Sequence, residues 1–527
     1  MMSALKRHVI LILLALLPAV GAAATPEGGS RDRPNVLFIV CDDLKPLLGC
    51  YGASWIHSPH IDRLAAQGTV FTANYCQVAL CAPTRFSLLT GMRPDRTGVY
   101  LNPDRPQDLL RTRFPDLVTL PQHFKNHGYV THPLHKVFDG RTVDAGHDAV
   151  SWTVPYGPWE LAPGDPPAPG GYQDPETKAR LREARSAGER PVGPATEACD
   201  VVDDAYHDGG LARTAAKRLR EFTQAGRPFF LAVGFVKPHL PFVAPTVHWL
   251  RYERESIPLA PFQDLPRGSP HDLAFYGNSG EVRDYADVPG SVPLPAGFQR
   301  ELIHGYAACV TYIDAQVGLL MRTLEECGVA GNTVVCLWGD HGWHLGEHGH
   351  WGKLTNYEDA ARVPLIVSAP GVGRGRRVGA VTESLDVFPT LCELAGLPAP
   401  AHVEGVSLVP LMRGTAERSR DAALTQACHG RGPQATMGWS VRTPRHRYIE
   451  WRSADLSGDP PVFGERPHAV ELYDYESDPE ERDNLAARPE FGTVLAEHQS
   501  ILARLLPQRP ADGGAARDAI HAGMPVP

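Results

Sequence analysis

The sequence predicts an α/β fold in which helices cover both faces of a large, mostly parallel β-sheet. Three continuous apolar runs, at 35–41, 229–236 and 333–338, have the length and composition of strands that are buried on both faces. Helical patterns alternate with these runs, and such alternation is typical of parallel sheets. Because parallel sheets place ligands beyond the carboxyl ends of their strands, we expect the functional site at that edge.

The first predicted strand, at 35–41, stops abruptly at the acidic pair Asp42-Asp43. A helix is predicted after it, because Ser58 before a proline has the pattern of a helix start. Apolar residues then recur at helical spacing until Gly68 ends the pattern. The chain therefore opens with a strand followed by a helix.

The alternation recurs twice further along the chain. A helix at about 211–222 precedes the second strand, and a helix at about 299–326 precedes the third. The third strand also ends in an acidic residue, within Gly339-Asp340-His341. We expect both acidic clusters on the same edge of the sheet.

Long loops and a smaller C-terminal part complete the predicted architecture. Residues 140–200 and 252–300 are rich in proline, glycine and charge, and we interpret them as long loops around the site. From about residue 425, short strand-like runs and a helix at 495–506 indicate an antiparallel sheet. The predicted division is a leader at 1–24, a main domain at 25–424 and an α+β subdomain at 425–527.

The leader has the pattern of a secretory signal peptide. Lys6 and Arg7 precede an apolar run at 9–20, and Ala22-Ala23-Ala24 offers a small-residue cleavage site. The run is shorter than a membrane anchor requires, which favours cleavage. We therefore expect an exported protein, periplasmic or extracellular, without membrane attachment after cleavage.

Composition limits the classes of function. The chain has 527 residues, of which 43% are hydrophobic, so it can bury a sizeable core. A formal net charge of -9 argues against a nucleic-acid partner, since such binding rests on clustered Lys and Arg. Ten cysteines lie without C-x-x-C spacing in a chain too large to need disulfides, so we interpret most of them as small core residues.

The acidic clusters supply candidate metal ligands. Adjacent carboxylates at Asp42 and Asp43 repel each other unless a cation or hydrogen-bond donors neutralise them. Alone, this pair is equally compatible with a solvated turn or a helix cap. With Asp340 it forms a hard oxygen set suited to Ca²⁺ or Mg²⁺, whereas the imidazole of His341 is less typical for such an ion.

Cys81 is the candidate nucleophile position. Cys81-Ala-Pro-Thr-Arg85 places the thiol beside a predicted helix start, where unpaired N–H groups and the helix dipole favour an anion. A thiol there could have a lowered pKa and act as a nucleophile. An arbitrary cysteine is more often a small buried side chain, and only the C-x-P-x-R spacing favours a functional role.

That spacing, followed by Ser87-Leu-Leu-Thr-Gly91, resembles the signature of the type I, formylglycine-dependent sulfatases. The likeness extends from about residue 34 to 487. Four further motifs resemble the iduronate-2-sulfatase branch of that family, at 42–52, 237–242, 339–349 and 471–474. The resemblance implies the alkaline-phosphatase-like fold, with 25–424 as the catalytic domain. It also implies that a dedicated generating enzyme oxidises Cys81 to formylglycine, so the thiol is a precursor.

The resemblance also implies roles for individual residues. The implied ligands of a single Ca²⁺ are the modified Cys81, Asp42, Asp43, Asp340 and His341. The implied contacts to the formylglycine, the sulfate or its leaving oxygen are Arg85, Lys136, His239 and Lys353. Outside their motifs, the two lysines would be interpreted as solvated surface residues and His239 as a loop cap. The roles also make chemical sense, because preorganised cations stabilise the charge that develops on a leaving oxygen.

One position departs from the iduronate branch, which has a histidine three residues after the lysine. This chain has Asp139 there, so the proton-transfer imidazole expected from the resemblance is missing. Asp139 itself, His135 or His132 could supply the base, and an aspartate would shift the pH dependence.

The sequence therefore predicts a sulfuric ester hydrolase acting on a sulfated sugar, such as a glycosaminoglycan-like glycan. The nearest alternative is a phosphonate monoester or phosphodiester hydrolase of the same superfamily, since the same groups can attack phosphorus. The alternative from another class is a non-catalytic binder of sulfated glycan in which Cys81 stays a thiol.

Overall fold

A computed structural model describes residues 33–158, 161, 166–275 and 280–506. The predicted signal peptide at 1–24 lies outside these residues. The strands in chain order are β1 (Asn35–Asp42), β2 (Thr69–Tyr75), β3 (Val130–His135), β4 (Thr196–Cys199), β5 (Phe229–Pro238), β6 (Phe242–Pro245), β7 (Thr333–Gly339), β8 (His344–Leu345), β9 (Trp351–Gly352), β10 (Leu365–Ser368), β11 (Arg376–Glu383), β12 (Ala423–His429), β13 (Ala435–Arg442), β14 (His446–Asp455), β15 (Val462–Phe463) and β16 (Ala469–Asp474).

The α-helices in chain order are α1 (Pro59–Gln67), α2 (Cys81–Thr90), α3 (Pro94–Thr97), α4 (Leu109–Arg113), α5 (Leu120–Asn126), α6 (Pro175–Ser186), α7 (His207–Gln224), α8 (Thr246–Trp249), α9 (His271–Ala274), α10 (Gly280–Arg283), α11 (Ala296–Glu326), α12 (Glu358–Ala361), α13 (Val387–Leu394), α14 (Val409–Arg413) and α15 (Gly492–Leu505). No helix in the described part of the chain combines the length and the apolar character needed to cross a membrane.

Seven strands form the main sheet, in the order β11-β2-β10-β7-β1-β5-β3. Strand β10 is antiparallel to both of its neighbours, and the other pairs are parallel. The prediction of a large, mostly parallel sheet is therefore confirmed. Its strands β1, β5 and β7 are those that the three apolar runs predict.

Helices cover both faces of this sheet. Alternate residues of β1 point to opposite sides, so that Leu37 and Ile39 lie in one apolar cluster and Phe38 and Val40 in the other. The first cluster includes residues of α7 and α11, and the second includes residues of α2 and α13. This double cover is the reason that β1 is apolar along its whole length and fully buried.

The interpretation of 140–200 and 252–300 as loops alone is wrong. The first segment contains α6 and β4, and the second contains the short helices α9 and α10. Helix α6 begins at Pro175, and the side chain of Asp174 accepts the backbone N–H of Thr177 at 2.8 Å. A proline after an N-cap aspartate is a helix start, and the high charge of this segment belongs to an exposed helix.

The C-terminal part is built on a second sheet, as predicted. It runs β12-β13-β14-β15, with β16 beside β14, and all of its pairs are antiparallel. Helix α15 packs on it through Leu502 and its neighbours. Strand β12 begins at Ala423 and so spans the division that we predict between 424 and 425. All ten cysteines are free thiols and most are buried.

Candidate active site and metal centre

Neighbouring parallel strands bring the two acidic clusters to one edge of the main sheet. Asp42 ends β1, Asp340 directly follows β7, and the strand register pairs Cys41 with Gly339. The backbone N–H of Asp43 donates to Asp340 Oδ1 at 3.1 Å. The carboxyl ends of β1 and β7 thus place these carboxylates side by side.

Lys136 and His239 reach the same edge from β3 and β5. Each residue follows directly after the last residue of its strand. The chain leaving β3 passes close over Gly234 of β5, where an added Cβ would lie 2.2 Å from the carbonyl carbon of Lys136. The absence of a side chain at Gly234 therefore permits the crossing that positions Lys136.

Cys81 is the first residue of α2, a helix in which every residue is buried. Its Sγ lies 3.2 Å from Asp42 Oδ1 and 3.2 Å from His341 Nε2. Burial, together with the charge of Asp42, raises the pKa of the Cys81 thiol well above its usual value. The lowered pKa considered from the sequence is not found, because burial and the neighbouring carboxylate of Asp42 disfavour the thiolate more than Lys136 and Lys353 favour it.

The predicted metal ligands form one compact group. One ligand atom from each of Asp42, Cys81, Asp340 and His341 lies within 4.8 Å of the others. Asp43 joins them at Cys81, because one of its carboxylate oxygens lies within 4.8 Å of the Cys81 sulfur. Four of these side chains are fully shielded from solvent, and Cys81 is 2% exposed. The structure therefore brings all five candidate ligands together.

Arg85 lies beneath this group in complete burial. Its Nε donates to Asp340 Oδ2 at 2.8 Å, and its Nη2 lies 3.4 Å from Asp42 Oδ1. Its Nη1 donates to the backbone carbonyl of Val137 at 3.3 Å. Arg85 thus joins the strand-end carboxylates to the segment that carries Lys136.

Two lysines lie close to the Cys81 sulfur. Lys136 Nζ is 3.7 Å from the Cys81 Sγ and pairs with Asp42, and Lys353 Nζ is 3.8 Å from that sulfur and 2.8 Å from Asp43 Oδ1. Burial acts to lower the pKa of Lys353, but Asp43 and its neighbours raise it well above the usual value. Both lysines are therefore cations at neutral pH.

His239 faces the site through its Nε2. This atom lies 3.1 Å from Glu281 Oε1 and 3.9 Å from Asp43 Oδ2, while Nδ1 is 2.6 Å from the backbone carbonyl of Leu240. Glu281 also reaches Lys353 Nζ, at 3.4 Å. Sequence reasoning missed Glu281, because it lies on the short helix α10 in a segment interpreted as loop, with no motif around it.

The three candidate bases have other partners or are held neutral. Asp139 accepts two hydrogen bonds from the Arg141 guanidinium, at 2.8 and 2.7 Å, and one from its backbone N–H at 3.0 Å; burial raises the pKa of Asp139, but these contacts outweigh it and lower that pKa. Burial lowers the pKa of His135 to about 3 and that of His132 to about 4. His132 Nδ1 also lies 3.2 Å from the carbonyl of Val154. Asp139 is thus the ion-pair partner of Arg141.

The donor set fits a divalent cation that prefers oxygen ligands. Three carboxylates converge in a buried space, an arrangement suited to Ca²⁺ and unlike the thiolate and imidazole sets of structural zinc. The same carboxylates face the three cations Arg85, Lys136 and Lys353. A bound dication would therefore leave an excess of positive charge, which suits an anionic substrate.

A family model described as Sulfatase matches residues 34–397, more than half of the chain. The chain belongs to the sulfatase family. As predicted, it is a sulfuric ester hydrolase. A second family model, described as N-sulphoglucosamine sulphohydrolase, C-terminal, matches residues 346–508 of this sulfatase.

Individual relatives agree with this assignment. Iduronate 2-sulfatase of Mus musculus is 32% identical to this sulfatase over 537 residues, covering 90% of this chain and 94% of the relative. The predicted likeness to the iduronate-2-sulfatase branch is thereby confirmed.

Two solved structures share the fold. A 2-O GAG sulfatase has a TM-score of 0.66 at 23% identity, covering 93% of this chain and 94% of its own. The phosphonate monoester hydrolase of Agrobacterium radiobacter has a TM-score of 0.66 at 22% identity, with coverages of 90% and 95%. The alkaline-phosphatase-like fold implied by the sequence resemblance is confirmed.

Proposed function

We propose that this sulfatase is an exported, calcium-dependent enzyme that uses a formylglycine made from Cys81 to cleave a sulfate ester on a sulfated sugar. The observation that carries the proposal is the position of Cys81. It opens a buried helix, lies between two lysines, and contacts the carboxylate group at the ends of β1 and β7.

We assign one Ca²⁺ to this carboxylate group. Its ligands would be Asp42, Asp43, Asp340, His341 and the modified residue 81. When bound, the ion supplies Lewis-acid stabilisation of negative charge on the ester oxygens. Formylglycine at residue 81, as its hydrated aldehyde, would supply a hydroxyl nucleophile for the sulfur, and later loss of sulfate would restore the aldehyde.

The side chains around residue 81 bind and orient the ester. Asp340 and Asp42 fix the guanidinium of Arg85, to which we assign the role of holding the formylglycine at residue 81. Lys136 and Lys353 lie on either side and bind the sulfate oxygens. At about 4 Å, a pair of unit charges is worth about 4 kcal/mol at an effective dielectric of about 20, against about 1 kcal/mol in bulk water.

Departure of the alcohol requires a proton. His239 Nε2 points into the site, and its Nδ1 is oriented by the carbonyl of Leu240. The proton passes from Nε2 of His239 or from Nζ of Lys353 to the leaving oxygen. Positioned cations of this kind stabilise the transition state more than the ground state.

The substrate class that we propose is a glycosaminoglycan-like glycan. The mouse relative is named for iduronate 2-sulfate, and one structural neighbour is titled a 2-O GAG sulfatase. The excess positive charge expected around a bound Ca²⁺ favours such polyanionic sugars.

The modification of Cys81 is the decisive test. Protein co-produced with a formylglycine-generating enzyme should lose about 18 Da at residue 81, as expected for conversion of a thiol to an aldehyde, and gain sulfatase turnover. Cys81→Ala should reduce turnover to background. The matched control is Cys76→Ala, because Cys76 is a buried cysteine outside the group of ligands. Undiminished turnover in Cys81→Ala would contradict the proposal.

Two further measurements separate the rival functions. The ratio of turnover on aryl sulfate to turnover on aryl phosphonate or phosphodiester distinguishes a sulfatase from a phosphonate hydrolase. Retention of an unmodified thiol in protein from its native source, with binding of sulfated glycan but no turnover, would indicate a non-catalytic binder.

A further inference from the structure

A second group of potential metal ligands lies outside the proposed active site. His344 begins the hairpin β8–β9, His348 lies in its turn, and Asp359 lies on α12. One ligand atom from each lies within 4.8 Å of the other two. The two imidazoles are 0% and 3% exposed, so this is an interior group and not a solvated face.

The hydrogen bonds of His348 leave one ring nitrogen with a bare lone pair. Its Nε2 lies 2.9 Å from the backbone carbonyl of Glu480. A carbonyl only accepts, so in the neutral ring the proton is on Nε2. The buried Nδ1 then carries a lone pair, and it has no hydrogen-bond partner in the described part of the chain. Imidazoles that bind metals are oriented in this way, with the other nitrogen donating to a carbonyl or carboxylate.

His344 has a similar arrangement. Its Nε2 lies 2.9 Å from Thr355 Oγ1, a hydroxyl that can accept the ring proton or donate its own, and metal binding would select the tautomer with the proton on Nε2. Its Nδ1 is buried near the backbone of Glu347, without a hydrogen bond of good geometry to any described residue. One ring nitrogen of each histidine therefore lies close to an Asp359 oxygen, and both rings have a buried Nδ1 without a hydrogen bond to any described residue, which is costly.

The local charge also favours a cation. Lys45 Nζ contacts Asp359 Oδ1 and Glu347 Oε1, each at 2.7 Å. One lysine thus faces two carboxylates, and the group carries a net negative charge. The ion pair uses Oδ1 of Asp359, so a metal would need the other carboxylate oxygen, Oδ2. The Asp359 side chain is 25% exposed, which gives an ion a path of entry.

We propose that His344, His348 and Asp359 form a second metal site that binds Zn²⁺. Two imidazoles and one carboxylate are typical zinc ligands, and the position left by a three-ligand set would take a water molecule. This donor set differs from the carboxylate-rich group at Cys81, which suits Ca²⁺. The site would fix the hairpin that ends next to Lys353 and so support the position of that lysine.

Metal content tests the site without any need for catalytic activity. Full-length protein is freed of metal with a chelator, returned to calcium buffer, exposed to a slight excess of zinc and dialysed. Wild-type protein should retain one zinc per chain by plasma mass spectrometry. His344→Gln and His348→Gln should each weaken zinc binding at least about 10-fold, because loss of a ligand should cost at least as much as loss of a residue that only orients one.

Two control variants make the assignment specific. His350→Gln removes a neighbouring buried imidazole that is not in the ligand group, and it should keep the zinc. Cys81→Ala should keep it as well, because that thiol belongs to the calcium group. Zinc that is lost in Cys81→Ala but kept in His348→Gln would overturn the proposal. Failure of the wild type to bind zinc would overturn it equally.

If the histidine variants fail to fold, cobalt substitution of the wild-type protein tests the site instead. Wild-type protein with Co²⁺ should show the visible absorption of a low-coordinate site with nitrogen and oxygen ligands, and no thiolate-to-cobalt band. A thiolate band, or a six-coordinate spectrum without ring-nitrogen ligands, would refute the site.

Discussion

Glu281 places a carboxylate against two cations that we assign to the sulfate ester. Its oxygens lie 3.1 Å from His239 Nε2 and 3.4 Å from Lys353 Nζ. The carboxylate is held well below its usual pKa, because these cations outweigh the effect of burial. A sulfate group that binds the same cations must therefore compete with Glu281.

Replacing Glu281 with glutamine should strengthen the binding of free sulfate. The change removes a negative charge and keeps the shape of the side chain, so inhibition by inorganic sulfate should tighten by about 3- to 10-fold, or about 1 kcal/mol at a partly exposed site. The measurement is the inhibition constant of sulfate against an aryl sulfate. Glu497→Gln, at an exposed position of α15, is the control and should leave that constant unchanged. Weaker inhibition in Glu281→Gln would mean that Glu281 supports anion binding.

Among the individual site residues, the sequence predicts those that lie in recognisable motifs. Cys81 and Arg85 are recognisable by their spacing, and Asp42 and Asp340 by their position after apolar runs. Glu281 has no such signal, because only the tertiary packing of α10 brings it to His239. The pairing of Asp139 with Arg141 has the same origin, since it depends on the fold of the segment after β3.

The pairing of β3 with β5 explains how Lys136 reaches the site. Strands β3 and β5 run parallel, and the register pairs His135 with Gly234. The next residue, Lys136, crosses over that glycine, and a Cβ at 234 would lie 2.2 Å from the Lys136 carbonyl carbon. The position of the lysine thus depends on a small residue in the adjacent strand.

Gly234→Ala should displace Lys136 and lower both stability and turnover. Since the clash is with backbone, the segment after β3 must move, at a cost of about 1–3 kcal/mol. A shift of about 1 Å at a catalytic group can lower kcat about 100-fold. Thermal unfolding and steady-state kinetics measure the two effects. Gly290→Ala is the control, since nothing lies within 4 Å of a Cβ there. Equal unfolding temperatures and equal turnover for Gly234→Ala and Gly290→Ala would contradict this account.

The elements show what periodicity can and cannot predict. Apolar runs locate β1, β5 and β7, because a strand that is buried on both faces is apolar along its whole length. Their ends are less predictable: β5 continues to Pro238 because Asp42 of β1 pairs with it, and that pairing is not visible in the sequence. From the sequence, the segment that forms helix α6 is interpreted as a loop because it is rich in charged residues.

A buried ion-pair network joins the C-terminal sheet to the segment around α12, which lies between Lys353 and β10. Arg447 of β14 is completely buried, with its Nη2 2.5 Å from Glu358 Oε2 and its Nε 2.8 Å from Glu481 Oε1. Its Nη1 donates to the carbonyl of Asn356 at 2.6 Å. Asn356 is three residues after Lys353, so the C-terminal sheet supports the segment that carries a proposed catalytic lysine.

Arg447→Met should therefore destabilise the whole molecule. The change keeps most of the side-chain volume but deprives the buried Glu481 of its arginine partner and leaves the partly buried Glu358 with weaker pairing through Arg442, at a cost of about 3–5 kcal/mol. Chemical unfolding measures the loss. Arg418→Met is the control, because it removes an ion pair whose arginine side chain is 78% exposed. It should lower the free energy of unfolding by less than about 1 kcal/mol.

The pH dependence of this loss distinguishes a broken ion pair from a simple packing defect. Burial acts to raise the pKa of Glu358, but the charges of Arg442 and Arg447 have the larger effect and hold this pKa well below its usual value. A carboxylate with a depressed folded-state pKa contributes stability that is present above its unfolded pKa of about 4.3 and is lost as the pH falls below it. The difference in unfolding free energy between wild type and Arg447→Met should therefore narrow from pH 5 toward lower pH, whereas a packing defect would give a difference that does not change with pH.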